Sequence, residues 1–302
     1  MARPPEEQRR DGVAVIDKEA GWTSHDVVAK ARGILRNKKI GHSGTLDPDA
    51  TGVLVLGVGR VTRLLRFLTV LGKTYTCEIV LGVETSTLDA SGEVVATHDM
   101  AGVALADVQA AAAALTGDIL QVPPMVSAVK VDGVRLHELA RRGEEVERQP
   151  RPVHVSRFDV AAVAGEPGVF TAEVACSSGT YVRTLAADLG TALGGGAHLR
   201  NLRRTAVGSF TEAEARPLDD IEVLAPAVAL RDHPSVVVEG DVATAVTHGK
   251  VLPAAVLGVD LPGDGVPALW AVLSPAGDLL AVYERHKGDT VKPAVVLAPA
   301  AT

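Results

Sequence analysis

The stretch from residue 41 to residue 52 combines side chains that can do chemistry with a backbone that has little freedom. It reads Gly-His-Ser-Gly-Thr-Leu-Asp-Pro-Asp-Ala-Thr-Gly, with three glycines, one proline, one histidine and two carboxylates. This composition predicts a constrained loop, because proline disfavours helix and strand interiors and restricts the residue before it. The apolar run at residues 53–58 predicts a buried strand that anchors the loop. The loop would therefore present Asp47 rigidly, as a catalytic group requires, although an isolated Asp-Pro pair is more often an ordinary turn.

Two later stretches also place aromatic and charged side chains in dense patterns. Residues 176–185 read Cys-Ser-Ser-Gly-Thr-Tyr-Val-Arg-Thr-Leu, and residues 196–205 read Gly-Ala-His-Leu-Arg-Asn-Leu-Arg-Arg-Thr. In the first of these, Thr180 is predicted to cap a helix that runs to about residue 193. Arg183 would then lie in the first helical turn, where a cation opposes the helix dipole, and this conflict suggests a purpose other than helix stability.

The remaining elements must position these motifs, and they predict an α+β fold. A helix is expected from Thr23 or Ser24 to about residue 35, with further helices at 61–71, 104–115 and 136–142. Alternation of apolar and polar residues predicts strands at 73–82, 153–163 and 168–176. The expected architecture is a mainly antiparallel mixed sheet flanked by helices, followed by a small C-terminal β module. We place a flexible tail at residues 1–11, a catalytic domain at 12–232 and the β module at 233–302.

Charge and composition narrow the class of protein. The chain has 302 residues, 47% hydrophobic residues and a net charge of −7, which suits a globular protein and disfavours bulk disorder. Between residues 30 and 66, however, eight basic residues accompany two acidic ones, as expected of a phosphate-binding face, although solvated helix faces are the alternative. No apolar run is long enough for a membrane span, and the N-terminus lacks a signal sequence, so a cytoplasmic protein with two reduced cysteines is expected.

Taken together, the motifs resemble those of the bacterial tRNA pseudouridine-55 synthases, over nearly all of residues 12–216. The first loop is similar to that family's Gly-His-x-Gly-x-Leu-Asp-Pro-x-Ala-Thr-Gly pattern, and residues 17–24 are similar to its Asp-Lys-x-x-Gly-x-Thr-Ser opening. Residues 121–130 resemble the family's Gln-x-Pro-Pro-x-x-Ser-Ala-x-Lys loop. The resemblance implies conversion of uridine to pseudouridine in the T-loop of tRNA, with no cofactor, no metal and no guide RNA, by an enzyme that we expect to be a monomer. It also implies that the C-terminal β module is a small PUA-like domain.

The resemblance also assigns roles to individual residues. It implies that Asp47 is the nucleophile and that Arg183 pairs with it and keeps it ionised. Tyr75 and Leu202 would sandwich the target base, and Tyr181 would lie beside the uracil ring.

The target uridine is stacked in folded tRNA and must be flipped out, and the family histidine that fills the vacated space matches His42. Val126 and His137 stand where many members carry aromatic residues, and we interpret Asp89, in a predicted hairpin turn, as structural. The residues expected to contact RNA phosphates are Lys38, Lys39, Arg63, Arg66, Arg141 and Arg142.

Three alternatives remain open on the sequence. The guide-RNA-dependent pseudouridine synthases of archaea and eukaryotes share the aspartate loop. A tRNA-folding chaperone could use the same cleft without chemistry. A transglycosylase also uses an aspartate, but it typically carries a zinc site, for which this sequence has no cysteine and histidine cluster.

Overall fold

A computed structural model describes residues 11–127, 130–131, 134–135, 142–144, 146–263 and 268–297. Residues 1–10 of the predicted tail lie outside the described residues. So do residues 136–141 of the helix predicted at 136–142, and these include His137 and Arg141. Asp11 was predicted as part of the loose tail, but its carboxylate accepts a hydrogen bond from the backbone N–H of Arg60 and pairs with the Arg60 side chain. Asp11 is therefore attached to the folded domain rather than to the tail.

Helices and strands are interspersed along the described chain. The helices are α1 (Ser24–Ile34), α2 (Leu65–Thr69), α3 (Leu105–Ala114), α4 (Val182–Ala192), α5 (Gly240–Thr247) and α6 (Ala254–Leu257), with 3-10 turns at Gly59–Leu64, Leu218–Asp220 and Pro226–Leu230. The strands are β1 (Gly12–Lys18), β2 (Ile40–His42), β3 (Thr51–Val58), β4 (Lys73–Leu81), β5 (Val83–Thr85), β6 (Val94–Thr97), β7 (Gly117–Gln121), β8 (Lys130–Val131), β9 (Val134–Arg135), β10 (Arg151–Ala162), β11 (Val169–Cys176), β12 (Ala197–Val207), β13 (Phe210–Thr211), β14 (Ser235–Val237), β15 (Leu252–Pro253), β16 (Leu269–Leu273), β17 (Leu279–Arg285) and β18 (Thr290–Val296).

The main sheet has nine strands within the described residues. Its order is β1-β3-β12-β4-β11-β10-β7, with β2 beside β3 and β13 beside β12. Neighbouring strands run antiparallel, apart from the parallel contact of β12 with β3. This arrangement confirms the predicted α+β class, and the parallel contact brings β12, from late in the chain, beside the start of β3.

Two hydrophobic clusters pack helices against this sheet, and both contact Tyr75 and Leu202. One packs α3 and α4 against β4, β10, β11 and β12, with Leu185 and Leu189 fully buried. Another packs α1 against β1 and β3 and includes Leu46 and Ala50 from the loop that the sequence singled out. The loop is thus attached to a core on both sides of Asp47.

A second sheet of five strands follows, in the order β14-β16-β17-β18-β15. Its residues Ala271, Leu279 and Val282 belong to the same hydrophobic cluster as Val55 and Phe210 of the main sheet. The strands of this sheet begin at Ser235, but the shared cluster joins the two sheets into a continuous core.

Two local predictions need correction. The helix predicted at 61–71 is a 3-10 turn at Gly59–Leu64 followed by the short α2, and the hydroxyl of Thr62 bonds to the carbonyl of Gly59 within the turn. Thr180 does not cap α4, because Tyr181 is the N-cap residue and makes no side-chain cap hydrogen bond. By contrast, Thr23 caps α1 as predicted, in a capping box with Asp26.

Candidate active site

The loop between β2 and β3 is fixed to its surroundings just before Asp47. The hydroxyl of Ser24, the first residue of α1, accepts a hydrogen bond from the N–H of Leu46 at 2.8 Å and donates one to its carbonyl at 3.0 Å. Ser24 and Leu46 are almost fully buried, at 1% and 3% exposure. Because hydrogen bonds inside a core are expensive to break, the residue before Asp47 has a single backbone position.

Two buried cations hold the rest of the loop. The ammonium of Lys18 donates to the carbonyl of Pro48 at 2.9 Å, and burial lowers its pKa to about 8. The guanidinium of Arg204 donates to the carbonyls of Gly44 and Thr45 in the loop, and to a carbonyl of β3. Both residues are about 1% exposed, so their charges are satisfied by backbone carbonyls of the loop and its neighbours rather than by water.

One glycine permits the close approach that Arg204 needs. Gly52 has φ +96°, and a Cβ at this position would lie 2.2 Å from the backbone oxygen of Arg204. The parallel pairing of Arg204 with Gly52 is therefore possible only with glycine in β3.

Arg183, in the first turn of α4, lies between two carboxylates. Its Nη2 is 3.2 Å from Oδ2 of Asp47, and its Nη1 is 3.1 Å from Oδ2 of Asp89. The guanidinium also donates to the carbonyls of Thr87 and Val126. Its side chain is 7% exposed whereas that of Asp47 is 45% exposed, so the arginine is fixed in the protein and the carboxylate of Asp47 faces outward.

The environment raises the pKa of the Asp47 carboxyl. Burial is the largest cause, and the Arg183 guanidinium opposes it, while the negative charge of Asp89 adds to it. From the sequence, Arg183 was expected to lower this pKa, and the effect of the pairing has that direction, but burial outweighs it.

A cleft of about 410 Å³ opens in front of Asp47. Tyr75, Tyr181, Arg183 and Leu202 line it together with Asp47, so the residues predicted to surround the base lie at one site. Burial raises the pKa of the Tyr75 hydroxyl, although the nearby Arg204 guanidinium acts in the opposite direction. The cleft can thus offer one carboxylate, neutral aromatic side chains and an apolar side chain to a planar ligand.

His42 lies at the end of β2, outside the described residues that line this cleft. Its ring is in an edge contact with that of His25, with 5.4 Å between centroids. Burial lowers the pKa of His42, and the positive charges of His25 and Arg204 act in the same direction. A neutral ring suits the predicted stacking role, which stays a prediction.

The predicted phosphate contacts differ in their surroundings. Lys38, Lys39 and Arg142 are exposed. Arg63 donates to the carbonyl of Val296 and Arg66 to that of Ala294, so both are bound to the second sheet. Arg141 lies outside the described residues.

Asp89 has a role at this site that its sequence motif does not reveal. It was interpreted as structural only, but one of its carboxylate oxygens meets Arg183 while the other accepts hydrogen bonds from the hydroxyls of Thr87 and Ser91. Thr-x-Asp-x-Ser is a local signal for a tight turn held by its aspartate, but it carries no information about a partner 94 residues away.

Two protein-family models together match most of the chain. Residues 32–182 match the TruB family pseudouridylate synthase N-terminal domain, and residues 183–233 match the tRNA pseudouridylate synthase B C-terminal domain. The chain belongs to the TruB family of pseudouridylate synthases. The resemblance seen in the motifs is thereby confirmed, and this TruB-family chain is an enzyme, an isomerase.

Curated relatives extend over nearly the whole chain. It is 46% identical over 299 residues to tRNA pseudouridine synthase B of Rhodococcus jostii, with 96% of this chain and 94% of the relative covered. It is 45% identical over 299 residues to the protein of that name from Streptomyces coelicolor, with 94% and 97% covered. The similarity to these relatives thus extends past residue 233 into the second sheet.

Solved structures of larger assemblies share the fold. A Cbf5-Nop10-Gar1 complex contains a chain with a TM-score of 0.74 and 28% identity, and 99% of this chain and 88% of that chain are covered. An H/ACA RNP bound to a substrate RNA containing 2′-deoxyuridine contains a chain with a TM-score of 0.71 at 25% identity, and again 99% of this chain and 88% of that chain are covered.

In the part of this chain that the structure describes, no helix is long and apolar enough to cross a membrane, and no group of three potential metal ligands occurs.

Proposed function

We propose that this TruB-family enzyme isomerises uridine 55 in the T-loop of tRNA, without a guide RNA, and that Asp47 is its nucleophile. The observation that carries the proposal is the carboxylate of Asp47, paired with a buried arginine and facing a cleft lined by Tyr75 and Leu202. The names of the curated relatives support tRNA as the substrate class.

The reaction needs a group that helps to break the bond between N1 of uracil and C1′ of the ribose. The uracil then turns and rejoins C1′ through its C5, the proton on C5 is lost, and N1 gains a proton, so substrate and product are isomers. An ionised carboxylate can promote this by attack at C1′, by attack at C6 of the base, or by assisting a glycal route. Each route requires Asp47 in its charged form, which the Arg183 guanidinium favours and burial opposes.

The cleft must also retain the uracil after the bond to the ribose is broken. Tyr75 and Leu202 are on neighbouring strands, β4 and β12, and both line the cleft, so they are placed to enclose the two faces of the ring. Tyr181 is two residues before Arg183 in the chain and lines the same cleft, where its hydroxyl can handle the C5 proton. With the base bound, these side chains would keep water from the reacting carbon.

Access for the base requires it to leave the T-loop stack. His42 is proposed to occupy the vacated space, and the exposed Lys38 and Lys39 near the loop are proposed to hold phosphates without reading sequence. Arg63 and Arg66 can contribute only by exchanging carbonyl partners for phosphate oxygens. We expect the enzyme to act as a monomer in the cytoplasm.

The direct test is incubation of the protein with an isolated T-arm stem-loop, with no guide RNA and no other protein. Pseudouridine formation at the T-loop uridine, measured by tritium release from [5-³H]uridine, is the expected result. A reaction that appeared only when a guide RNA and partner proteins were added would instead favour the activity of the structurally similar H/ACA particles. RNA binding with no tritium release under either condition would favour a tRNA chaperone.

A further inference from the structure

The start of α4 carries two residues of the site, yet it lacks a local cap. Tyr181 is the N-cap residue, with φ −103° and ψ 107°, and neither its side chain nor that of Thr180 caps the helix. Tyr181 precedes Arg183 by two positions, so any movement of this turn displaces both the tyrosine in the cleft and the guanidinium beside Asp47. Something outside the helix must hold it.

Gln121, the last residue of β7, supplies the contact. Its Oε1 accepts a hydrogen bond from the N–H of Tyr181 at 2.7 Å, and its Nε2 donates to the carbonyl of Tyr181 at 3.1 Å. One side-chain amide is thus paired with both polar groups of a single residue's backbone. Gln121 is 2% exposed, so the two bonds lie in the core, where an unpaired partner is costly.

The segment that follows Gln121 reaches the same helical turn a second time. The carbonyl of Val126 accepts a hydrogen bond from Nη2 of Arg183 at 2.9 Å, and the Nη2 atom is also the one closest to Asp47. Residues 121–126 therefore contact the backbone of Tyr181 and the side chain of Arg183 from one side. The pairing with Gln121 fixes where this segment begins.

We propose that Gln121 is a positioning residue for the isomerase reaction, since its paired amide sets the backbone of Tyr181 and thereby the position of Arg183 relative to Asp47. This inference rests on the proposed function. It differs from a simple role in folding, because it predicts that the chemical step suffers while the affinity for RNA does not.

The test compares Gln121→Met with a matched control, Gln109→Met. Methionine has a similar length and no hydrogen-bonding amide. Gln109 also uses its amide on the backbone, donating to the carbonyl of Val160, but it lies on α3 away from the cleft. Both variants are assayed on the T-arm stem-loop for kcat and KM, and the exchange of their backbone amides with deuterium is followed at residues 181–185.

Gln121→Met should lower kcat by about 10- to 100-fold, since displacement of a reacting group by about 1 Å has effects of this size, and leave KM nearly unchanged. The amide of Tyr181 should exchange faster than in the wild type. Gln109→Met should match the wild type in kcat, in KM and in exchange at these amides. A wild-type kcat in Gln121→Met, a rise in KM alone, or an equal loss in Gln109→Met would overturn the proposal.

If Gln121→Met does not fold, Gln121→Glu is assayed in its place. Its carboxyl group keeps an acceptor for the Tyr181 N–H at the same reach but lacks the amide donor, so a partial loss of kcat is expected, and wild-type kcat would again overturn the proposal. If the wild-type protein forms no pseudouridine, the proposed function fails, and unchanged exchange at Tyr181 in the variants would separately refute the positioning role.

Discussion

At the scale of single residues, Arg183 links the two carboxylates of the site. Its guanidinium is buried and meets Asp47 on one side and Asp89 on the other. Asp89 is itself held by the hydroxyls of Thr87 and Ser91, so Arg183 is fixed even when Asp47 engages a substrate. A second carboxylate therefore orients the arginine, at the cost of a higher pKa for Asp47.

Replacing Arg183 with lysine should strongly reduce activity although the charge is kept. An ammonium on a flexible chain cannot contact two carboxylates and two carbonyls in one plane, as the guanidinium does. We expect kcat for the T-arm stem-loop to fall by about 10²- to 10³-fold. Lys30→Arg, at an exposed ion pair far along α1, is the control, and wild-type kcat in Arg183→Lys would contradict this role.

The pH dependence of the reaction follows from the raised pKa of Asp47. The ionised form is the active one, so activity is present above the raised pKa and is lost as the pH falls through it. The acid limb of the plot of kcat/KM against pH, which reports the free enzyme, should therefore lie above the ordinary aspartate value of 3.8. An acid limb at or below that value would show that the Arg183 pairing outweighs burial.

At the scale of elements, the loop that carries Asp47 is held by three separate parts of the fold. These are the end of β1 through Lys18, the first residue of α1 through Ser24, and β12 through Arg204. The position of Asp47 thus depends on the close pairing of β3 with β12 at Gly52 as much as on the loop itself.

Gly52→Ala should destabilise the protein and reduce activity together. The new methyl group would collide with the backbone oxygen of Arg204, and alanine disfavours the positive φ, so the free energy of unfolding should fall by about 1–3 kcal/mol. Gly33→Ala is the control, because a Cβ at that position in α1 meets no atom within 4 Å. Urea unfolding measures both, and equal stability of the two variants would contradict the argument.

Patterns within the sequence were sufficient for many elements. Alternating apolar residues predicted β4 and β11, and glycine with proline predicted the loop around Asp47. Contacts between distant segments were not predictable in the same way. The helix cap is an instance, because Thr180 is a good local cap by type, yet the amide of Gln121, 60 residues earlier, bonds to Tyr181 instead.

β12 escaped prediction for a different reason. Its arginines are engaged within the protein, since Arg200 pairs with Glu78, Arg203 pairs with Asp17, and Arg204 is buried. Asn201 has a positive φ, and the register with β4 shifts between Arg200 and Arg203. A strand interrupted in this way shows no clean alternation of apolar and polar residues.

At the scale of the whole molecule, the two sheets are joined by one hydrophobic cluster and by arginines. Arg63 and Arg66 were predicted as phosphate contacts, and they donate to the carbonyls of Val296 and Ala294 in β18. The shared cluster contains fully buried Phe210 from the first sheet and Val282 from the second. Neither sheet can separate without exposing apolar surface.

This shared core predicts that the protein unfolds in one cooperative transition. The chain has two tryptophans, and each reports on one sheet: Trp22 lies beside the α1 cluster, and Trp270 is buried in the second sheet. Trp22→Phe and Trp270→Phe variants each leave one fluorescent reporter. In each variant, the urea transition followed by tryptophan fluorescence should coincide with that followed by far-UV circular dichroism, whereas separate midpoints within one variant would show that one sheet unfolds independently.

The central claim is that the carboxylate of Asp47 performs the chemistry, and Asp47→Asn tests it most directly. Asp49→Asn is the matched control, because Asp49 is exposed two residues later in the same loop. We predict that Asp47→Asn binds the T-arm stem-loop with nearly the wild-type Kd and releases no measurable tritium from [5-³H]uridine, while Asp49→Asn remains active. Measurable turnover by Asp47→Asn would contradict the account.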